Sequence, residues 1–356
     1  MAATTVGILG TGAWGTALGK IIAENGCKTQ AWSYEPEVAR DINESHRNER
    51  YLPGVRLPES LTATNNILEA ATEKDFIIIV LPSPFVVEAV RNILVAENIV
   101  EGRSYIGVFS KGFVESQGEV RLLVDAIEDY LPGIYKGKTV YVAGPSHAEE
   151  VSRGKLTGLI SASMSGRNAI RFRELLSNNR LIVFPSLDIR GVQISAAMKN
   201  VVAIAFGMMD ALEETSDYIG DNTVSLLLAA GLNEIQMLGT AMGASHPETF
   251  TSIAGIGDLD VTCRSRHGRN RRFGRDIITA GILDKFSGIE DLLRNMNKIG
   301  YFPEGVVAVS YVKRLSEKYN LSLPICQGVY NILNKQYPPA QAIETILSLL
   351  GKKQGI

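Results

Sequence analysis

The chain has 356 residues, 45% of them hydrophobic and 21% charged, with 36 Lys and Arg against 38 Asp and Glu. That length gives about two domains, each large enough for its own core, and the composition is that of a water-soluble globular protein. A formal net charge of −2 excludes a globally basic nucleic-acid binder and a chain drawn to anionic membrane by charge.

Cys27, Cys263 and Cys326 are far apart and form no C-x-x-C pair, so neither a disulfide framework nor a structural zinc site is expected. The four histidines show no H-x-x-H spacing, and no metal is expected. The N-terminus shows no basic leader with a cleavage signature. No apolar run approaches the ~20 residues of a membrane span. These features fit a cytoplasmic protein.

In chain order, short β-branched runs recur through the first half: Thr5–Leu9, Thr29–Trp32, Phe76–Leu81, Tyr105–Phe109, Val140–Ala143, Leu159–Ser161 and Leu181–Phe184. Helical spacing lies between them at Ala13–Asn25, Glu35–Ser45, Pro84–Ala96 and Glu119–Tyr130. Near-continuous apolar strands separated by helices predict an α/β fold with a doubly wound parallel sheet covered on both faces. After Phe184-Pro185-Ser186 the pattern becomes helical only: Asp188–Leu212, Asn222–Gly239, Arg269–Ala280, Val306–Tyr319, Ile325–Leu333 and Pro339–Leu350. The Pro185-Ser186 stop, with Asp188 as an N-cap, divides the chain into residues 1–187 and an all-helical 188–356. A cleft between two such domains is the expected place for a ligand.

Gly10-Thr11-Gly12-Ala13-Trp14-Gly15 joins the first strand to the first helix. In that context G-x-G-x-x-G binds a dinucleotide. The first glycine makes the tight turn, the second lets the backbone approach the pyrophosphate, and the third lets helix and strand pack closely. The helix N-terminus offers N–H groups and its positive dipole end to the phosphates. The second strand ends in Ser33 and Tyr34, with Glu35 next and Arg40 nearby. These residues leave NAD against NADP open, and Arg40 reads best as an ordinary surface residue.

Reducing a ketone with a hydride needs a proton donor for the oxygen. Lys199 is the first candidate, because Ser195, Ala196, Val202 and Ala203 surround it on its helix with a small apolar collar that would favour the neutral amine. A lysine snorkelling to solvent fits the same spacing. Lys111 follows a strand end, where open α/β sheets bind ligands, although many lysines there are merely solvated. In Gly144-Pro145-Ser146-His147-Ala148, Ser146 either caps a helix or helps aim backbone N–H groups at a ligand, and His147 reads as packed beside the loop. Asp258, after Gly255-Ile256-Gly257, either caps a helix or accepts a hydrogen bond from a substrate hydroxyl or a lysine. The run from Arg264 to Arg275 holds six arginines. It reads as a solvated face, a nucleic-acid patch, or, with Arg269-Asn270 at a helix start, a phosphate and hydroxyl binder.

Taken together, these motifs resemble the NAD(P)-dependent glycerol-3-phosphate dehydrogenase family of the cytosolic, bacterial type, from Val6 to about Leu350. The matching stretches are Gly10 to Leu18, Lys111-Gly112, Gly144-Pro145-Ser146, Lys199 to Ile204, Gly255 to Leu259, Thr262-Cys263, Arg269 to Gly274 and Glu304-Gly305. The resemblance implies a Rossmann domain followed by a helical domain, usually as a homodimer. The implied reaction is the interconversion of dihydroxyacetone phosphate and sn-glycerol 3-phosphate with NAD or NADP, feeding phospholipid synthesis. No nucleic-acid partner and no metal are implied.

By the same resemblance Lys199 is the proton donor and acceptor, Lys111 touches both substrate and nicotinamide, and Asp258 organises the lysine. Gly144, Ser146, Asp258, Gly268, Arg269 and Asn270 contact substrate. Gly10, Gly12, Ala13, Trp14, Gly15, Tyr34, Lys111, Ala148, Arg269 and Glu304 contact the cofactor. Three positions depart from the family pattern: His147 where Phe is common, Gly268 where Ser is common, and Ala230 where many members have Arg. A related two-domain β-hydroxy acid dehydrogenase and a non-catalytic dinucleotide sensor are the alternatives. The first lacks the Arg269 to Arg272 segment, and the second has no need of Lys111, Lys199 and Asp258.

Overall fold

The computed structural model describes residues 3–341 apart from 218, 266 and 267, together with 344, 346 and 348. The chain forms two compact units that divide between Gln193 and Ile194, inside a helix and slightly beyond residue 187.

The first unit is built on an eight-stranded sheet. Its strands are β1 (Thr5–Leu9), β2 (Lys28–Trp32), β3 (Leu61–Thr64), β4 (Phe76–Ile79), β5 (Tyr105–Val108), β8 (Val140–Ala143), β9 (Thr157–Ala162) and β10 (Leu181–Ser186). A separate hairpin joins β6 (Phe113–Ser116) to β7 (Glu119–Leu122). The helices are α1 (Ala13–Glu24), α2 (Pro36–Ser45), α3 (Ile67–Ala71), α4 (Val86–Ile93), α5 (Glu97–Val100), α6 (Leu123–Glu128), α7 (Ala148–Ser152) and α8 (Gly166–Leu176).

The sheet order is β10-β9-β8-β5-β4-β1-β2-β3. From β3 to β8 every neighbouring pair is parallel, and the order is that of a classical dinucleotide fold, reversing between β1 and β4. Ligands of such sheets bind at that reversal, beyond the strands' C-terminal ends. The apolar strand runs are buried as the pattern requires: Val6, Ile8, Ile78 and Val140 are fully covered, and Phe76 meets Phe172 edge-on at 5.4 Å. Each such side chain contributes roughly 1.5–3 kcal/mol by leaving water.

Three local expectations differ. The sheet is not wholly parallel, because β9 runs antiparallel to β8. Glu119–Leu122 is a strand rather than the start of a helix: it pairs with Phe113–Ser116 across Gln117-Gly118, both at positive φ. The polar strand β3 has too weak an alternation to stand out, and it is held by pairing with β2.

The second unit is helical. It contains most of α9 (Ile189–Glu213), then α10 (Asp221–Ala241), α11 (Glu248–Thr251), α12 (Asp258–Arg264), α13 (Arg269–Thr279), α14 (Ile289–Arg294), α15 (Glu304–Lys318) and α16 (Pro324–Leu333). No strand occurs in it among the described residues. Asp188 caps α9, its carboxylate accepting the Gly191 N–H at 3.0 Å. The expected helix at Pro339–Leu350 lies largely outside the described residues, and Pro339–Gln341 form a 3₁₀ turn. By length and composition alone α9 and α10 are long and apolar enough to cross a membrane, which is weak evidence for a span. The apolar stretch of α9 is wholly buried, as in the core helix of a soluble protein.

Helices α9 and α13 meet backbone to backbone. A Cβ on Gly274 would lie 2.1 Å from the Ile204 carbonyl oxygen, so only glycine allows this approach. The contact fixes α13 against the helix that carries Lys199.

Candidate active site

In the first unit, the glycine turn lies at the C-terminal end of β1. A Cβ on Gly15 would lie 2.0 Å from the Gly10 carbonyl oxygen, so α1 can start this close to the turn only with glycine there. A Cβ on Gly12 would meet nothing within 4 Å. This is the open approach a pyrophosphate needs, and the residues present fit a dinucleotide. The N–H groups of Ala13, Trp14 and Gly15 precede the first bond of α1, from Thr16 N to Gly12 O, and have no acceptor within the helix. Behind the turn, buried Asn48 donates to Thr11 O and Thr16 Oγ1, each at 2.8 Å. No local pattern marks Asn48 in the sequence, because its role depends on a contact 37 residues away.

Two exposed aromatic rings follow the C-terminal ends of the strands flanking β1. Tyr34 comes after β2 and is 82% exposed, and Phe85 comes after β4 and is 56% exposed. Phe85 was not singled out from the sequence; an aromatic beside Pro82 and Pro84 just past a strand is the signal that could have found it.

Lys111 lies past the end of β5, and Gly144 and Ser146 past the end of the neighbouring β8. The lysine Nζ donates to Gly144 O at 3.3 Å and to Ser146 Oγ at 3.2 Å, and the serine hydroxyl donates to Gly144 O at 2.9 Å. The three residues form one cluster. Ser146 is not the helix cap, because His147 holds that position at the start of α7 and Ala148 is the first helical residue.

In the second unit, Lys199 is 5% exposed and Asp258 is fully buried. The ammonium donates to the Asp258 carboxylate and, at 2.8 Å, to Thr262 Oγ1, whose own hydroxyl donates to Asp258 O at 2.6 Å. The expected apolar collar is present, with Ser195, Ala196, Val202 and Ala203 all buried. Lys199 does not snorkel, and its charge is balanced inside the protein. A π-helical turn, Ile253–Gly257, leads directly into α12, whose first residue is Asp258. Such turns re-aim side chains and recur at functional sites. Thr262 carries this cluster as much as the aspartate does, and its spacing of four residues from Asp258 on one helix face is the signal for it.

Arg269 and Asn270 open α13, with Gly268 as an N-cap that supplies no side chain. Arg269 pairs with Glu304, the first residue of α15. Asn270 Oδ1 accepts the Gly305 N–H at 2.8 Å, and a Cβ on Gly305 would lie 2.5 Å from Asn200 O. The chain Asn200–Gly305–Asn270 thus links the residue after Lys199 to the arginine–asparagine pair. Among the described residues, the other arginines of the run are each paired with a carboxylate. Arg264, Arg271, Arg272 and Arg275 pair with Asp260, Asp210, Asp276 and Glu214, and Arg266 lies outside the described residues.

Comparison with known proteins shows the family. The family model described as NAD-dependent glycerol-3-phosphate dehydrogenase N-terminus matches residues 5–169, and the corresponding C-terminus model matches residues 188–344. Glycerol-3-phosphate dehydrogenase [NAD(P)+] of Treponema denticola is 51% identical over 96% of this chain and 98% of its own. The Bacillus subtilis enzyme of the same name is 35% identical over 96% and 94%. The crystal structure of glycerol-3-phosphate dehydrogenase from Coxiella burnetii superposes with a TM-score of 0.82 at 29% identity, covering 97% of this chain and 99% of that one. These matches make the dinucleotide sheet and the helical unit the two parts of an NAD(P)-dependent dehydrogenase. The chain belongs to the NAD-dependent glycerol-3-phosphate dehydrogenase family.

Proposed function

We propose that the protein interconverts dihydroxyacetone phosphate and sn-glycerol 3-phosphate with NAD(H) or NADP(H), Lys199 moving the proton. The observation that carries this reading is the buried Lys199–Asp258–Thr262 cluster. A paired ammonium out of water is a preorganised proton donor for an oxygen that gains negative charge. Residues 1–187 hold the dinucleotide and residues 188–356 carry proton transfer and most of the substrate grip. Gly10, Gly12, Ala13, Trp14 and Gly15 receive the pyrophosphate, Tyr34 and Phe85 offer ring faces to the adenine, and Lys111, Ala148, Arg269 and Glu304 complete the cofactor contacts.

The substrate phosphate is gripped by Arg269, Asn270 and backbone N–H groups near Gly268, and Lys111 with Gly144 and Ser146 orients the ketone. Phosphate binding orients the reacting carbon, which lowers the barrier to transfer. When bound, the reduced nicotinamide supplies the hydride. Lys199 then gives its proton to the C2 oxygen, and Asp258 and Thr262 hold the amine in place; in the oxidative direction the neutral amine takes the proton back. We assign the working form to a cytoplasmic homodimer on the family resemblance.

The test is the fall in nicotinamide absorbance on adding dihydroxyacetone phosphate, repeated with Lys199→Ala. Substrate-dependent oxidation by the native protein and none by a folded, cofactor-binding variant is expected. Near-normal turnover by that variant would overturn the assignment of the proton to Lys199.

A further inference from the structure

Asp258 and Thr262 hold the Lys199 ammonium through oxygens that only accept. The Asp258 carboxylate takes one N–H, and Thr262 Oγ1 takes another at 2.8 Å while its own proton goes to Asp258 O at 2.6 Å. A lysine that has given up a proton carries a lone pair, and neither of these oxygens can donate to it. Ser195 is the polar member of the collar around the lysine. It lies four residues before Lys199 on α9, so the two Cβ atoms share a helix face about 5–6 Å apart. A helical lysine leans toward the turn before it, here the turn that holds Ser195. Ser195 is 1% exposed, and among the described residues its hydroxyl has no hydrogen-bond partner, not even the carbonyl four residues back that helical serines often take. A buried hydroxyl left unpaired in the resting protein destabilises the fold.

We propose that Ser195 is a positioning residue for proton transfer, its hydroxyl donating to the lone pair of the neutral Lys199 amine whenever no substrate oxygen occupies that place. The proposal rests on Lys199 as the proton carrier. In the reductive direction the lysine gives its proton to the C2 oxygen and the product leaves with it. Ser195 then covers the lone pair until the amine regains a proton from water. In the oxidative direction the substrate hydroxyl displaces Ser195 and the amine takes its proton. The other ionisable groups about the lysine are Asp258 and the Cys263 thiol on α12, which burial keeps neutral and which feels the Lys199 charge, with the Asp210–Arg271 pair beyond. None of these is altered by changing Ser195, so a shift in the lysine's titration reports the hydroxyl.

The pH profiles of glycerol 3-phosphate oxidation by the native protein and by Ser195→Ala test this. The profile of kcat/KM reports the free enzyme, where Ser195 holds the amine, and that of kcat reports the complex, where substrate does. Oxidation needs the neutral amine, so activity rises with pH through the lysine's inflection, and removing a donor to the amine favours the ammonium. In Ser195→Ala the kcat/KM inflection should move up by about half to one pH unit, the effect of one ordinary hydrogen bond, while the kcat inflection stays in place. The urea midpoint of Ser195→Ala should rise at neutral pH, because the change removes an unpaired buried hydroxyl and adds a better helix former. A purely structural serine would give neither result. A kcat/KM inflection that does not move, one that moves equally in kcat, or a lowered midpoint would each overturn the proposal. If glycerol 3-phosphate is not oxidised, the substrate assignment falls. An NMR titration of the Lys199 side-chain carbon then decides, and identical curves in the native protein and Ser195→Ala would overturn the role of the hydroxyl.

Discussion

Lys199 and Asp258, 59 positions apart in sequence, form a direct ammonium–carboxylate pair buried in the helical unit. Removing one partner of such a pair leaves a buried charge uncompensated and costs about 3–5 kcal/mol, while replacing both by apolar residues is often neutral. Lys199→Met should therefore lower the urea midpoint strongly, and Lys199→Met with Asp258→Leu should recover much of it. Turnover should stay depressed by about 10²–10⁴-fold in both, the usual range for losing a positioned acid–base group. A double variant that regains turnover along with stability would show that the pair serves folding alone.

Thr262 offers a gentler probe. Its hydroxyl accepts from Lys199 and donates to the Asp258 backbone oxygen. Thr262→Val keeps the shape and removes both bonds. A hydrogen bond to a charged group is worth about 1.5–3 kcal/mol, so kcat should fall at least about tenfold. KM for dihydroxyacetone phosphate should hardly move, because the phosphate contacts proposed above lie on α13. Steady-state kinetics separates the two, and a change confined to KM would remove Thr262 from the proton-transfer cluster.

The parts of this site legible in the sequence are those with local spacing. Gly10 to Gly15 sit between a strand and a helix in the order the chemistry requires, and the collar around Lys199 is visible at three and four residues. The parts not legible depend on distant contacts. Tyr51 reaches Glu35 across 16 residues and Asn48 reaches Thr11 across 37, while the Asp258–Lys199 contact across 59 is one of several readings open to Asp258 and is singled out only by the family resemblance. Periodicity also misread Glu119–Leu122, because a four-residue strand in a hairpin takes its conformation from Phe113–Ser116 rather than from its own propensity. The π turn before Asp258 has no pattern of its own either, since its identity lies in hydrogen bonding and not in residue type.

Gly274 tests how the site is held. An added methyl would lie 2.1 Å from Ile204 O, 2.8 Å from Met208 N and 2.9 Å from the Gly207 Cα, all backbone atoms that cannot rotate away. Gly274→Ala must push α13 off α9, at a cost of about 1–3 kcal/mol or more. Because Arg269 and Asn270 ride on α13, KM for dihydroxyacetone phosphate should rise as the denaturation midpoint falls. A variant with normal stability and normal KM would contradict the packing.

Alkaline pH acts on groups buried in their neutral form. Burial raises the Cys263 thiol far above its ordinary 9.0, and burial followed by the Glu234 carboxylate does the same to Cys326. Burial also pushes the Tyr135 phenol up to about 12. Above pH 9 the unfolded chain releases thiol protons that the folded protein keeps, so the folded state binds more protons and stability falls as pH rises. The contribution of these neutral groups is full below the unfolded thiol pKa and is lost on the way up to the folded one. The urea midpoint should therefore drop steadily from about pH 9 to about pH 10.5, and Cys326→Ala should flatten that drop even if it lowers the midpoint at neutral pH. Native thiols should also react slowly with an alkylating agent at neutral pH, since the thiolate is the reactive form. A midpoint that holds constant through this range, or rapid labelling of Cys263 in the folded protein, would mean that these thiols are reached by water.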